Sequence, residues 1–163
     1  MSEKDYVVRE LKISQGAQFN MIELYKTLKT WFEINRYSFF EKSYEDITKK
    51  QIKSVKITWE GQKEVDDYTR YVIEIKLKLD NYEIVQTQKE KLVDGKITLS
   101  FESFIESDYE KKWEDKPIWK FIRSVSDKYF TAQKKVRFEK EVEEDTRDIF
   151  HKTKTFLNLY KFS

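Results

Sequence analysis

The sequence lacks cysteine altogether and has little glycine, proline or histidine, with 3, 1 and 1 of these residues among 163. The absence of cysteine excludes disulfides, thiolate nucleophiles and cysteine-ligated metals together. The single imidazole cannot supply the ligands of a usual zinc site. The small number of glycines and prolines leaves little room for flexible linkers. We also find no cofactor-binding motif. We therefore expect one folded domain over residues 1–163, without a metal or a cofactor.

Acidic and basic residues nearly balance, because 32 lysines and arginines face 30 aspartates and glutamates. This balance argues against a dedicated nucleic-acid binder, which usually carries a strong basic excess. Aromatic residues make up 16% of the chain, which disordered proteins lack. No apolar run approaches the ~20 residues of a membrane helix, and residues 1–6 have no apolar signal-peptide stretch. We expect a cytoplasmic protein that does not insert into membranes.

The first third of the chain is predicted to form a strand followed by a helix. A strand over residues 6–13 has the character of a sheet edge and is expected to end at Gly16. Asn20 then begins a helix, in which Glu23 is the capping-box partner and Asn35 marks the end. The helix carries one apolar stripe, formed by Met21, Leu24, Tyr25, Leu28, Trp31 and Phe32.

The middle of the chain has the alternating pattern of antiparallel strands. We interpret Asp80-Asn81 and Asp94-Gly95 as two-residue turns, since Asp-Gly in particular is a strong hairpin signal. Gly61 is expected to begin a loop that leads into the most regular strand. The predicted strands cover residues 37–44, 55–60, 71–79, 82–93 and 96–107.

Helices are expected to close the chain. Pro117 suits the first turn of one helix, and a long amphipathic helix is predicted from about residue 134 to residue 159. Sequential antiparallel strands with segregated helices define an α+β fold. We expect an antiparallel meander sheet packed on helices, with the long C-terminal helix held against the sheet in a helix-grip-like arrangement.

One face of the predicted sheet carries a polar pattern that disagrees with simple burial. With both turns in place, Gln86 lies opposite Ile75 and Gln88 lies opposite Ile73. Both glutamines then point toward the core, where polar groups without hydrogen bonds are costly. We interpret this face as a partly open cavity, although a bulge or a one-residue slip would turn the glutamines outward. The candidate ligand-binding residues are Tyr71, Ile73, Ile75, Gln86, Gln88 and Phe101.

Residues with catalytic potential are few. His151, on the final helix, would need a nucleophile or an orienting carboxylate nearby, and it is more simply explained as a partly exposed helix residue. Asp66-Asp67 and Asp108-Tyr109 should lie at opposite ends of the sheet, so their carboxylates cannot converge. Asp66 and Asp67 alone remain a weak candidate for binding a hard cation, since the sequence shows too few further oxygen ligands. We predict no catalytic site and no metal site.

A run of lysines without compensating acids lies within residues 49–56. Lys49, Lys50, Lys53 and Lys56 are candidates for phosphate contacts. No aromatic residue interleaves with them, as a base-stacking surface would require, and lysines also protect sheet edges against aggregation. Both interpretations stay open.

Four segments spread over nearly the whole chain combine aromatic and charged residues in a distinctive order. They are Leu24-Tyr-Lys-x-Leu-Lys-x-Trp31-Phe32, Trp59-Glu-x-x-Lys63-x-Val65-x-Asp67-Tyr68, Asp108-Tyr109-Glu110-x-Lys-Trp113 and Phe156-Leu-Asn-Leu-Tyr160. Together they resemble a family of small uncharacterised archaeal proteins. The resemblance implies a prokaryotic, cytoplasmic setting and brings no catalytic residues with it.

Two hypotheses of function follow, and an enzyme is the third alternative because the usual nucleophiles and bases are scarce. In the first, a binding module holds an apolar or amphiphilic small molecule between the sheet and the C-terminal helix. In the second, a protein- or RNA-interaction domain with a filled core uses the lysines within residues 49–56 or the charged face of the last helix. A cavity of a few hundred Å³ would favour the first, and a packed core beside a contiguous basic face would favour the second.

Overall fold

The computed structural model describes residues 3–107 and 131–161, which form a five-stranded antiparallel sheet and two helices. The strand order is β1-β5-β4-β3-β2, so β1 and β2 are the edges of the sheet. The predicted α+β class, the meander and the long C-terminal helix are confirmed. The helix predicted at Pro117 and the pair Asp108-Tyr109 lie outside the described residues. The elements are β1 (Glu3–Phe19), α1 (Met21–Ile34), β2 (Ser38–Asp46), β3 (Val55–Glu64), β4 (Thr69–Gln86), β5 (Lys91–Ser107) and α2 (Thr131–Lys161).

The first helix, α1, begins and ends where the sequence pattern predicts. The side chain of Asn20 accepts a hydrogen bond from the backbone N–H of Glu23 at 3.1 Å, which satisfies one of the free donors at the helix start. The ring of Tyr25 lies 5.6 Å from that of Phe39 and 6.1 Å from that of Trp59. The helix therefore covers β2 and β3. Its buried residues are Leu24, Leu28, Trp31 and Phe32.

The long helix, α2, packs against β1 and β5 and lies beside α1. Phe138 contacts Tyr71 of β4 edge-on, and Phe150 contacts Phe101 of β5 in the same way, with ring centroids 5.7 and 5.5 Å apart. The sheet and the two helices thus form two layers with the core between them. The fully buried stripe of α2 is Val142, Thr146, Ile149, Thr153 and Leu157.

A bulge in β4 replaces the two turns that the sequence pattern predicts. β4 continues through Asp80-Asn81, and β5 continues through Asp94-Gly95. Asn81 and Tyr82 together face Gly95, because the pairing shifts immediately after Asp80. Asn81 has a φ of 48°, which asparagine tolerates, and a Cβ at Gly95 would lie 2.9 Å from the Tyr82 Cα. Both turn predictions are therefore wrong, and the two motifs form the two sides of one bulge.

The hairpin between β4 and β5 turns instead at residues 87–90. The backbone N–H of Thr87 donates to the carbonyl of Glu90 at 2.9 Å. The Thr87 hydroxyl donates to the same carbonyl at 2.8 Å and accepts from the Glu90 N–H at 3.0 Å. A threonine side chain thus closes a turn that contains neither glycine nor asparagine. The strand predicted over residues 82–93 is therefore divided, because residues 82–86 continue β4, residues 87–90 form the turn and residues 91–93 begin β5. β1 likewise continues through Gly16 to Phe19.

Candidate functional site

The core face of the sheet, which packs against the helices, is filled with apolar side chains. Tyr71, Ile73, Ile75 and Phe101 are fully buried. Ile75 pairs with Phe101 across β4 and β5, and Ile73 pairs with Ser103. Four of the six candidate ligand-binding residues therefore lie together beneath the helix layer.

The two candidate glutamines do not lie on this part of the sheet. Gln86 pairs with Lys91 near the tip of the β4–β5 hairpin, and Gln88 lies in the turn itself. Both side chains are exposed. The predicted register, with these glutamines opposite Ile75 and Ile73, is wrong because the bulge carries β4 onward instead of turning it back. The polar lining that motivated the cavity hypothesis is therefore absent from the core face, and binding of an apolar ligand stays a prediction.

A different polar group does lie on the core face. The Ser103 side chain is fully buried, and its hydroxyl has no hydrogen-bond partner in the described part of the chain. Leaving a buried hydroxyl unpaired costs about 1–3 kcal/mol. The alternation of Phe101, Ser103 and Ile105 along β5 contains the signal for this inward position. Sequence reasoning did not single out Ser103, because the predicted register assigned the polar positions of this face to the glutamines.

Three carboxylates of α2 accept hydrogen bonds from the polar ends of buried aromatic residues. They are spaced four and three residues apart and follow one side of the helix, next to its apolar stripe. One bond joins α2 to β4 of the sheet, one joins it to the connection between α1 and β2, and one joins it to α1 within the helix layer. The pairs are Tyr71–Glu141 at 2.5 Å, Tyr37–Asp145 at 2.7 Å and Trp31–Asp148 at 2.7 Å.

The electrostatics of these pairs favour a structural role. Burial, reinforced by the neighbouring carboxylates, raises the pKa of Tyr37 and of Tyr71 well above the ordinary value of 10. Burial also raises the pKa of Asp145, although the hydrogen bond from Tyr37 and the charge of Lys63 act in the opposite direction. Both tyrosines therefore remain neutral hydrogen-bond donors at physiological pH. We interpret the three pairs as structural links that fix α2 against the sheet and against α1.

The other candidate residues for chemistry also have structural or solvent-exposed positions. The Asp66 carboxylate accepts from the backbone N–H groups of Tyr68 at 2.8 Å and Thr69 at 2.6 Å, which closes the loop between β3 and β4. Asp67 and His151 are exposed. Within residues 3–107 and 131–161, no cluster of three or more histidines or carboxylates is arranged to hold a metal ion.

The outer face of the sheet, which points away from the helices, carries a band of lysines. Lys56 of β3 pairs directly with Lys78 of β4. The same face presents Lys76 on β4 and, through the pairing of β5 with its neighbours, Lys96 on β5 and Lys12 on β1. All five side chains are exposed and alternate along their strands with buried residues. We call these five residues the basic band.

Acidic neighbours compensate only part of this charge. The Lys78 Nζ lies 3.7 Å from the Asp80 carboxylate, and the Lys76 Nζ lies 3.4 Å from that of Glu74. Glu45 on β2 pairs with Lys56. Three of the five lysines therefore have a carboxylate neighbour along or across the strands.

The loop between β2 and β3 adds three lysines at the same end of the sheet. Lys49 and Ile52 exchange backbone hydrogen bonds of 3.0 and 2.9 Å, which close the loop into a short turn around Lys50. The backbone N–H of Tyr82 donates to the Lys53 carbonyl at 3.1 Å and ties this turn to β4. The lysines predicted from the sequence therefore adjoin the basic band, to which Lys56 belongs. The other four members were missed, although the alternation along β4 already places Lys76 and Lys78 on one face.

A row of glutamates lies next to the basic band on the outer face. Glu60, Glu74 and Glu102 pair directly across β3, β4 and β5. Lys42 lies 3.6 Å from Glu60 and partly neutralises it. Beside this row the described residues form a groove of about 240 Å³, which is lined by Arg9, Glu10, Glu74, Lys76, Ser100 and Glu102.

Compared with known protein families and with curated proteins, the chain matches none of them. The resemblance to small archaeal proteins therefore stays a prediction. In the described residues, neither helix is apolar enough over a sufficient length to cross a membrane.

Proposed function

We propose that this protein is a non-enzymatic module that binds single-stranded RNA on its basic band. The observation that carries the proposal is the direct pairing of Lys56 with Lys78. Like charges that face each other across neighbouring strands destabilise a sheet. A bound polyanion would remove this repulsion, because its phosphates would lie between the two ammonium groups.

Hydroxyl groups between the lysines support the same interpretation. Thr58 and Ser100 both pair with Lys76, one on each side, and Thr98 pairs with Lys78. Lysine ammonium groups and serine or threonine hydroxyls are common donors to phosphate oxygens. The band therefore offers charge and neutral donors on one continuous surface.

The shape of this surface favours a single strand over a duplex. The outer face is built from strands alone among the described residues, and it presents no helix that would enter the major groove of a duplex. Sheet faces bind single-stranded RNA in several known modules, where phosphates and bases spread over the strands. The filled core around Ile75 and Phe101 also favours a surface function over an internal ligand site. We place this function in the cytoplasm.

The test is fluorescence anisotropy with a labelled 20-nucleotide oligouridylate at several KCl concentrations. The variant is Lys56→Gln with Lys78→Gln, and its matched control is Lys29→Gln with Lys152→Gln, which removes two exposed lysines from the helix layer. Each phosphate contact with a single strand contributes about 0.7 to the slope of log K against log salt. We expect the band variant to bind more weakly and to lower the slope by about 1.4, while the control binds like the natural protein.

Two outcomes would contradict the proposal. Equal losses of affinity in the band variant and in the control would show that only net charge matters. Binding to vesicles of phosphatidylserine and phosphatidylcholine, without binding to RNA, would identify the band as a membrane-contact surface. The band variant should be at least as stable as the natural protein, since it removes the repulsion between two opposed lysines. A weakened interaction would then not reflect unfolding.

A further inference from the structure

We infer that the groove at the border of the basic band is a base-recognition pocket that accepts cytosine. This inference rests on the proposed RNA-binding function and adds a base preference to it. It depends on three features of the groove, which are its size, its carboxylates and its continuity with the band.

An irregularity in β1 opens the groove. Val8 pairs with Ser103 and Leu11 pairs with Phe101, so two residues of β1 lie opposite the single residue Glu102 of β5. Those two residues are Arg9 and Glu10, which line the groove. Bulges of this kind redirect side chains and are frequent beside binding sites. The volume of about 240 Å³ equals roughly eight water molecules at ~30 Å³ each, which is enough for a pyrimidine ring with eight non-hydrogen atoms.

The carboxylates of the groove differ in their partners. Glu74 lies 3.4 Å from the Lys76 ammonium. Glu102, which pairs directly with Glu74, is half-buried and forms no ion pair or side-chain hydrogen bond within the described residues. A glutamate oxygen is a suitable acceptor for the exocyclic amino group of cytosine. Glu10 also lines the groove and likewise forms no ion pair or side-chain hydrogen bond within the described residues, but its side chain is exposed. The half-buried Glu102 is therefore the residue that we assign to base recognition.

The basic groups of the groove are placed for the phosphate that accompanies the base. The Arg9 guanidinium lies 5.2 Å from the centre of the Tyr6 ring and makes no ion pair within the described residues. Lys76 belongs both to the groove and to the basic band. A strand whose phosphates follow the band would thus bring one nucleotide to the groove, with Arg9 and Lys76 near its phosphate and Glu102 near its base.

The alternative pyrimidine should bind less well. Uracil carries a carbonyl oxygen at the position where cytosine carries its amino group, and this oxygen would face the Glu102 carboxylate. Two acceptors in contact repel each other, and a carboxylate in a partly buried groove loses hydration without gaining a bond. Discrimination by one well-placed base contact amounts to about fivefold or more in affinity.

The test compares labelled 12-nucleotide oligocytidylate and oligouridylate by anisotropy at pH 7.5 and constant salt. We expect the natural protein to bind oligocytidylate at least about fivefold more tightly than oligouridylate. Glu102→Gln should reduce this ratio to below about twofold, because the neutral amide is a weaker acceptor. Its matched control is Glu33→Gln on α1, which removes one exposed carboxylate from the opposite layer and should leave the ratio unchanged.

Equal binding of the two oligonucleotides by the natural protein would overturn the inference while leaving the proposed function intact. An unchanged ratio in Glu102→Gln would equally overturn the assignment of that residue. If neither oligonucleotide bound, the proposed RNA-binding function would itself be wrong. The comparison in the natural protein needs no variant and so does not depend on how any substitution folds.

Discussion

The contact between Gly61 and Phe32 provides a sharp test of how α1 is seated on the sheet. Gly61 is buried in β3, and a Cβ built on it would overlap the ring of Phe32. The ring has little freedom to retreat, because the rings of Trp31, Tyr37 and Phe39 lie around it with centroids 5.3, 5.7 and 5.4 Å away. Gly61→Ala should therefore force either the ring or the helix to move.

The size of the effect follows from overpacking. Inserting a methyl group into a well-packed core costs about 1–3 kcal/mol, and the surrounding rings place this site toward the upper end. For a domain of 163 residues this corresponds to a loss of roughly 3–10 °C in melting temperature. Phe32→Leu removes part of the ring and leaves space, so it also destabilises the protein when made alone. The loss in free energy of unfolding of the double variant should be smaller than the sum of the two single losses by at least about 1 kcal/mol.

Urea unfolding followed by tryptophan fluorescence measures these free energies directly. The matched control is Gly16→Ala, because a Cβ at Gly16 meets nothing within 4 Å and its φ is not positive. This control should be neutral or should stabilise the protein by about 0.4–1 kcal/mol. If Gly61→Ala behaved like Gly16→Ala, or if the Gly61 and Phe32 effects simply added, the close contact between α1 and β3 would be refuted.

Two further predictions concern polar groups in the core. Ser103→Ala removes the unpaired hydroxyl and should raise the free energy of unfolding by about 1 kcal/mol, whereas a loss of stability in urea unfolding would show that the hydroxyl is bonded. Burial raises the pKa of Asp145 in the folded protein above its ordinary value of 3.8. In the pH interval between the ordinary and the raised pKa, the folded protein keeps a proton that the unfolded chain releases, so stability falls as pH rises through this interval. Asp145→Asn cannot titrate, so its free energy of unfolding relative to the natural protein should rise with pH over the same interval. A flat or falling difference in pH-dependent urea unfolding would contradict this sign.

The elements that sequence reasoning predicted correctly are those determined by neighbours in the chain. The start of α1 needs only Asn20 and the N–H of Glu23, three residues away. The face of β4 that carries Ile73 and Ile75 follows from strict alternation. The Asp94-Gly95 signal failed for the opposite reason. The same dipeptide suits a tight turn and a bulge, and the pairing that distinguishes them places Gly95 opposite the distant residues Asn81 and Tyr82.

The candidate site shows the same dependence on distant pairing. Lys49, Lys50, Lys53 and Lys56 form a visible run in the sequence, and by themselves they are equally well explained as protection of a sheet edge. The explanation changes when Lys78 is placed opposite Lys56, since edge protection gives no reason to oppose two lysines on adjacent strands inside the sheet. That placement requires the register of β3 against β4, which no local pattern specifies. A slip of one residue would have turned Lys78 toward the core, and the burial of its neighbours Leu77 and Leu79 at 1% and 2% exposure is what prevents such a slip. The packing that fills the core therefore also places the two lysines opposite each other on the outer face. Substitution of Lys56 and Lys78 should weaken the proposed RNA binding without lowering the stability of the fold, so the two effects can be measured separately.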